Sequence, residues 1–295
     1  MTAAAEALLD DRETEAQKWV DELAAADPSA LDAAARPAVE GMVTALWRAG
    51  WLPGDLHQMA QRHRGGGAVA YLVDAIAVEH RQYPAARVHP RWAGQLREID
   101  ATVWWEPSRP HLTQWIRRHR SDVAGAVRAV VEVMAMLRSL PGLPRILPLP
   151  GTARPHAEDA SRGVDQKVLT RVRALLAKAE STDFPEEAEA LSTKAQELMA
   201  RHALERAVVE AAGGDAPEPV TARRLWLNNP YLDAKSLLVD AVATANRCRT
   251  VFSPHLGFIT VLGDDVDLEV VEVLATSLLV QATKAMLAGG SRTSR

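Results

Sequence analysis

The chain has 295 residues, a net charge of -4 and a pI near 6.2, with 47% hydrophobic and 24% charged residues. These proportions exclude a wholly disordered, fibrous or membrane-embedded protein, and the length predicts two or three folded domains. Because the overall charge is slightly negative, any site for nucleic acid or an anionic membrane must come from a local cluster of cations.

One cysteine and the N-terminal sequence predict a cytoplasmic location. Cys248 is the only cysteine, so the chain can form neither an internal disulfide nor a cysteine-based zinc site. The N-terminus is acidic and lacks the basic and apolar regions of a signal peptide. The apolar stretches 123–137 and 270–287 carry charges at helical intervals, which indicates packed helices and no membrane partner. The excess of Arg over Lys and the abundance of Ala indicate a GC-rich bacterial genome.

Two stretches rich in proline or glycine break the helical pattern and predict linkers. The first linker covers 141–163 and the second covers 211–222. They divide the chain into an N-terminal region, 1–140, a central segment, 164–210, and a C-terminal unit, 223–295.

Helical periodicity with short breaks runs through the N-terminal region and predicts an irregular helical bundle. Within it, Met42 to Arg64 fits two helices joined by a turn at 50–53. In a helix-turn-helix protein the second helix would present Arg62 and Arg64 to the major groove of DNA. The spacing does not separate this motif from an ordinary helical corner, which is the commoner structure.

A run of aromatic and basic residues, 104–120, follows in the same region. Rings that stack bases, beside cations that neutralise phosphates, are typical of proteins that bind single-stranded nucleic acid. The alternative, and the commoner arrangement, is that the tryptophans belong to the core and the cations occupy a helix C-terminus, where the helix dipole favours them. The nucleic-acid hypothesis, with the two arginines of the helical corner, assigns Arg62, Arg64, Trp115, Arg117, Arg118 and Arg120.

Residues 165–204 predict an antiparallel helical hairpin. Val168 and Val172 begin an apolar stripe on the first helix. A break at 181–184 is followed by Pro185, a residue favoured at the first position of a helix, and the second helix carries an apolar stripe of its own. Because the connection is so short, the two helices must pack antiparallel.

The hairpin carries four ordered pieces of sequence, which are Leu175-Leu176-Ala177-Lys178-Ala179, Glu186-Glu187-Ala188, Lys194-Ala195-Gln196 and Leu198-Met199. In this order and spacing they resemble the bacterial domain-of-unknown-function family number 2786. The stretch Gly50 to Leu56 is similar to the N-terminal part of longer members, and the unit that contains Asp267 is similar to the domain that often follows the hairpin. Similar proteins continue past a Ser-Arg-Thr-Ser-like stretch, so the C-terminal unit, which ends at Arg295, is expected to be incomplete. The resemblance implies no catalytic residues.

Lys178, Glu187 and Lys194 lie on the predicted outer face of the hairpin. One hypothesis is that this face docks a partner protein or nucleic acid. The alternative is a solvated face with ion pairs one helical turn apart, which is the commoner arrangement.

The C-terminal unit predicts the element order α-β-β-α. Helical spacing in 230–246 is followed by two short stretches rich in β-branched and aromatic residues, 249–253 and 258–262, joined by a Pro-His-Leu-Gly turn. An aspartate pair, Asp264 and Asp265, then supplies the N-cap of a final helix. These carboxylates can also bind a cation, but their place at a helix start already has a structural reason.

The fold class predicted is mostly α, with an N-terminal irregular helical bundle, a central antiparallel helical hairpin and a small C-terminal α-β-β-α unit. The sequence contains no phosphate loop, nucleophile elbow, dinucleotide glycine pattern or metal-binding histidine spacing, so no catalytic residue, metal or cofactor is predicted. We expect a non-enzymatic interaction protein whose partner is unknown, with nucleic acid and another protein as the candidates. The alternative is a hydrolase-like enzyme with its site at a domain interface.

Overall fold

Helices dominate the computed structural model of the protein, and a small antiparallel sheet lies near its C-terminus. The mostly helical fold class is therefore confirmed. The chain divides into two compact units, Met1–Pro155 and His156–Arg295. The structure describes residues 1–153, 162–182, 184–213 and 220–290.

The first unit is a bundle of eight helices in the described residues, with one short 3₁₀ turn at Ala85–Arg87. Its helices are α1 (Thr2–Leu9), α2 (Glu13–Ala24), α3 (Pro28–Arg48), α4 (Pro53–His63), α5 (Gly66–His80), α6 (Pro90–Glu98), α7 (His111–His119) and α8 (Val123–Ser139).

The helix α8 lies at the centre of this unit and contacts α1, α2, α3, α5 and α7. It begins at Asp122, whose carboxylate accepts a hydrogen bond from the Gly125 N–H at 2.7 Å. Val127 and Val130 are fully buried, as a helix that is apolar on most of its surface must be. No helix in the described ranges is long and apolar enough to cross a bilayer.

A corner that requires glycine joins α3 to α4. Gly50 has a φ of 92°, a left-handed conformation that favours glycine, and a Cβ at this position would clash with the carbonyl oxygen of Leu143. The N–H of Leu143 in turn donates to the carbonyl of Ala49 at 2.7 Å. Hydrogen bonds therefore attach the beginning of the proline-rich stretch to the first unit.

The second unit contains the hairpin and the sheet. Its elements are α9 (Arg162–Ser181), α10 (Pro185–Gly213), β1 (Thr221–Trp226), α11 (Leu232–Ala245), β2 (Arg249–Ser253), β3 (Phe258–Gly263) and α12 (Asp265–Gly290).

The sheet has one strand more than the sequence predicted, so the order after the hairpin is β-α-β-β-α and not α-β-β-α. The additional strand is β1, which pairs antiparallel with the central strand β3 in the order β1-β3-β2. Its sequence, Thr-Ala-Arg-Arg-Leu-Trp, has no regular alternation of apolar and polar residues. Pairing with β3, rather than its own pattern, therefore makes this segment a strand.

Two local predictions in the same unit are confirmed. The turn between β2 and β3 closes with a hydrogen bond from the Gly257 N–H to the carbonyl of Ser253 at 2.9 Å. The carboxylate of Asp264 accepts from the Val266 N–H at 2.9 Å, which caps the start of α12.

The hairpin and the sheet share one hydrophobic core. Val172 and Leu176 of α9 are buried together with Met199 of α10, Ile259 of β3 and Val271 of α12. One face of each hairpin helix is therefore fixed against the rest of the unit, and the opposite face is left to solvent.

Candidate functional site

Side chains of helices α5 and α7 contact each other in antiparallel order. At one end, His111 Nε2 lies 2.8 Å from Asp74 Oδ2. Midway, the Tyr71 ring lies 5.7 Å from the His111 ring and 6.4 Å from the Trp115 ring. At the other end, a Cβ on Gly67 would lie 3.6 Å from Trp115 Cη2. The ring of Trp115, which precedes the last turn of α7, therefore lies against the first turn of α5.

The two residues of this contact, Gly67 and Trp115, each lie close in sequence to a basic segment. The first, at the end of α4, contains Arg62 and Arg64 and leads directly into α5. The second is the last turn of α7 and its C-cap, whose side chains are exposed. We call the two together the basic end, and its members are Arg62, Arg64, Arg117, Arg118, His119 and Arg120.

The start of α5 contributes positive charge of its own to the basic end. Its N-cap is Gly65, which provides no side-chain acceptor for the first amide groups, and Gly65 to Gly67 are exposed. Unpaired N–H groups and the helix dipole together make such a terminus attractive to anions. In the described residues, Arg64 Nε and Trp115 Nε1 are also buried donors without an acceptor. Hydrogen-bond donors therefore exceed acceptors at this position.

The tryptophans of this region belong largely to the core, which corrects one assignment made from the sequence. Trp115 is only 2% exposed, and its ring lies 4.5 Å from that of His119. Stacking on a nucleobase needs an exposed ring face, so we remove Trp115 from the candidate set. Trp104 is half-buried and supports the Arg118 guanidinium, which lies 4.3 Å from its ring centre.

A buried cluster of acids and a histidine holds the opposite end of α7. Asp32 accepts hydrogen bonds from the backbone N–H groups of His111 and Leu112, each at 3.1 Å. Asp74 accepts from Trp104 Nε1 at 2.8 Å and also contacts His111. A carboxylate at the positive end of a helix stabilises it, so Asp32 acts as a cap supplied by a distant helix.

This cluster has the residue types of a catalytic site but not the space for a substrate. A cavity of about 10 Å³ adjoins His111, Asp74 and Tyr71, which is room for about one water molecule. Burial raises the pKa of the Tyr71 hydroxyl, so this group stays protonated. We interpret the cluster as a support for α7. No sequence pattern marks it, because Asp32 and Asp74 are separated from His111 by 79 and 37 positions.

On the hairpin, two of the three surface residues that the sequence grouped together form an ion pair. Lys178 Nζ lies 2.9 Å from Glu187 Oε1 across the turn. Glu187 also accepts a hydrogen bond from the Thr182 hydroxyl at 2.7 Å. These two partners, with Thr182 the larger influence, lower the pKa of Glu187. Lys178 and Lys194 both line a groove.

That groove, which we call the hairpin groove, runs between the solvent-facing sides of α9 and α10. Its volume is about 490 Å³. Its lining consists of Arg171, Ala174, Leu175, Lys178, Lys194, Glu197, Leu198 and Arg201.

A comparison with models of known families gives a match on the hairpin. A family model described as a protein of unknown function, DUF2786, matches residues 167–206. The match covers most of the hairpin, from α9 into α10. The resemblance noted in the sequence is thereby confirmed for the hairpin. Comparisons with curated proteins and with solved structures give no match.

Proposed function

We propose that the protein is a nucleic-acid-binding protein that contacts the phosphate backbone through the basic end of its first unit. The observation that supports this proposal is the contact between Trp115 of α7 and Gly67 of α5. Trp115 is followed by Arg117, Arg118 and Arg120, and Gly67 belongs to the uncapped, glycine-rich start of α5, which follows the arginines that end α4. Arginine and helix N-termini are the two protein features that most often bind phosphate oxygens.

The net charge of the whole chain is negative, so binding of a polyanion depends on the local cluster of arginines. With a net charge of -4, the protein as a whole repels a polyanion. At physiological salt, however, charges separated by more than about 8 Å are largely screened, so the nearby arginines dominate the interaction at this surface. An anionic polymer would therefore be attracted to this end of the first unit rather than to the chain in general.

The mode of binding expected is independent of base sequence. Trp115 is buried, and Trp104 is covered on one side by Arg118. Neither the buried Trp115 ring nor the face of Trp104 covered by Arg118 is open to a base, so the contact relies on charge. For contacts to about three phosphates, the logarithm of the binding constant should fall with the logarithm of salt concentration with a slope of about -2 to -3.

The test is fluorescence anisotropy of labelled single- and double-stranded DNA and RNA at low and raised salt. The double variant Arg117→Ala, Arg120→Ala should weaken binding by about tenfold and reduce the salt slope by about one to two. The matched control is Arg81→Ala, because Arg81 is exposed just beyond the opposite end of α5. Absence of binding at low salt, or an equal loss in the control, would refute the proposal.

The wider proposal is a cytoplasmic, non-enzymatic protein. Its one thiol, Cys248, is buried, and burial raises its pKa to about 11, so it is a poor nucleophile at neutral pH. The acid–histidine cluster adjoins space for about one water molecule, which gives the hydrolase alternative no support from these residues.

A further inference from the structure

The hairpin groove combines an apolar floor with a cationic rim. Leu175 and Leu198 form the floor and are half-buried, since their inner atoms pack against the core of the second unit. The cations stand on both sides, Arg171 and Lys178 on α9, and Lys194 and Arg201 on α10. A surface that offers aliphatic contact at its centre and positive charge at its edges is complementary to an acidic, amphipathic partner.

The spacing of the rim cations matches a helix. Arg171 and Lys178 are seven residues apart, as are Lys194 and Arg201. Seven residues are about two helical turns, or about 10 Å, so both rims repeat their charge at the heptad interval. A third helix that lies along the groove would repeat its own side chains at the same interval.

Three of the four rim cations are available for an incoming carboxylate. Among the described side chains, Arg171, Lys194 and Arg201 have no ion pair, whereas Lys178 is paired with Glu187. Glu197 lies on the α10 rim, between the two cations of that side.

We propose that the hairpin groove is the docking site for an acidic amphipathic helix of a partner protein. Leucine-like residues of that helix pack on Leu175 and Leu198, and its Glu or Asp residues, spaced by seven, pair with Arg171 on one side and with Lys194 and Arg201 on the other. The groove volume of about 490 Å³ is in the range of sites that enclose ligand groups, about 300–1,000 Å³.

The lining favours a protein helix over nucleic acid. Among the described residues, no aromatic side chain lines the groove, so bases have no ring there to stack on. The floor is aliphatic. An amphipathic helix would bury this apolar surface, whereas a phosphate backbone would not. This inference is independent of the nucleic-acid proposal, because the two surfaces consist of different residues.

The experiment measures binding of a fluorescent peptide to the full chain. The peptide has about three heptads, with Leu at its core positions and Glu on both flanks. Two comparison peptides replace Glu by Lys or Leu by Ser, which removes the charge match or the apolar face without changing the protein. A labelled single-stranded oligonucleotide is the fourth probe.

Charge reversal on the protein locates the site. Arg171→Glu and Lys194→Glu should each weaken binding of the Leu/Glu peptide by about threefold to tenfold. The matched control is Arg249→Glu, an exposed arginine on β2 of the same unit. It should change binding by less than about twofold. The Arg117→Ala, Arg120→Ala variant should bind the peptide like the unmodified chain, which separates this proposal from the previous one.

The inference is overturned if the Leu/Glu peptide does not bind at low salt, or if the Ser peptide binds as tightly. Equal weakening by Arg249→Glu also overturns it, because the effect would then reflect net charge alone. If the oligonucleotide binds and Arg171→Glu abolishes that binding, the groove belongs to nucleic acid and not to a helix.

Discussion

Cations at the basic end of the first unit lie at helix termini, whereas three of the four rim cations of the hairpin groove, Arg171, Lys194 and Arg201, lie in the middle of helices. Arg117 and Arg118 lie in the last turn of α7, where the dipole stabilises positive charge, and Arg118 also stacks on Trp104. Arg171 and Lys194 have no such stabilisation from the helix. Charge at the basic end thus has a structural reason as well as a proposed function. For Arg171 and Lys194 in the groove, the proposed function is the only reason we find for the positive charge.

The largest effect is expected in the core beneath the groove. Leu176→Ala should destabilise the second unit by about 2–4 kcal/mol, because Leu176 is 2% exposed and its removal leaves a cavity. Hydrogen exchange should accelerate in both α9 and β3, since they share the core. Leu175→Ala, on the half-buried floor, is the control and should cost less. Faster exchange in α9 alone would show that the hairpin is independent of the sheet.

The next largest effect is expected at Asp32, which caps the start of α7. Asp32→Ala removes two hydrogen bonds from the start of α7 and leaves two buried N–H groups unpaired, which should destabilise the first unit by about 2–3 kcal/mol. Urea unfolding would measure it. Asp27→Ala, which removes the exposed cap of α3, should destabilise by about 1 kcal/mol. If the two variants lose the same free energy of unfolding, Asp32 stabilises α7 no more than an ordinary exposed N-cap stabilises its helix.

A smaller effect is expected at Arg120, where one substitution should raise stability and lower nucleic-acid affinity. Arg120 has a φ of 51°, so Arg120→Gly should relieve backbone strain and stabilise the first unit by about 0.5–1 kcal/mol. The same change removes a cation, so nucleic-acid affinity should fall by about twofold to fivefold. Arg117→Gly, inside the helix, should lower both stability and affinity. Unchanged affinity in Arg120→Gly would remove Arg120 from the basic end.

The smallest effect is a pH dependence at His119. Burial lowers the pKa of this imidazole below its ordinary value of 6.5, so it is neutral at pH 7. Its contribution to stability is present above pH 6.5 and decreases as the pH falls through the lowered pKa. Nucleic-acid binding should do the opposite and strengthen as protonation adds a charge. Anisotropy titrations between about pH 5 and 8 should show this trend and His119→Gln should remove it. An unchanged pH profile in that variant would show that His119 does not cause the pH dependence of binding.

The sequence predicted those features that depend on local pattern. Apolar residues such as Val172 and Leu176 recur at helical spacing, and this was enough to predict both hairpin helices and their antiparallel packing. The turn before Phe258 and the cap at Asp264 were also predictable, because short polar or glycine residues determine them locally. By contrast, β1 was missed because it depends on its partner strand.

The candidate sites required the tertiary structure. From the sequence, Arg62, Arg64 and the cluster at 117–120 were assigned to one nucleic-acid hypothesis. The contact between Trp115 and Gly67, which links the helices that carry or follow these residues, could not be predicted from the sequence. In the same way, Asp32 looked like an ordinary residue of α3, because the helix that it caps begins 79 positions later.

The common core of the hairpin and the sheet has a practical consequence for work on the segment that matches the family model. The family match ends at residue 206, yet the apolar faces of α9 and α10 are covered by residues that extend to α12. A fragment limited to 167–206 would expose Leu169, Val172 and Met199 to water and should aggregate or remain unfolded. Expression of the family segment alone is therefore a poor choice here, and a useful fragment continues from α9 through α12.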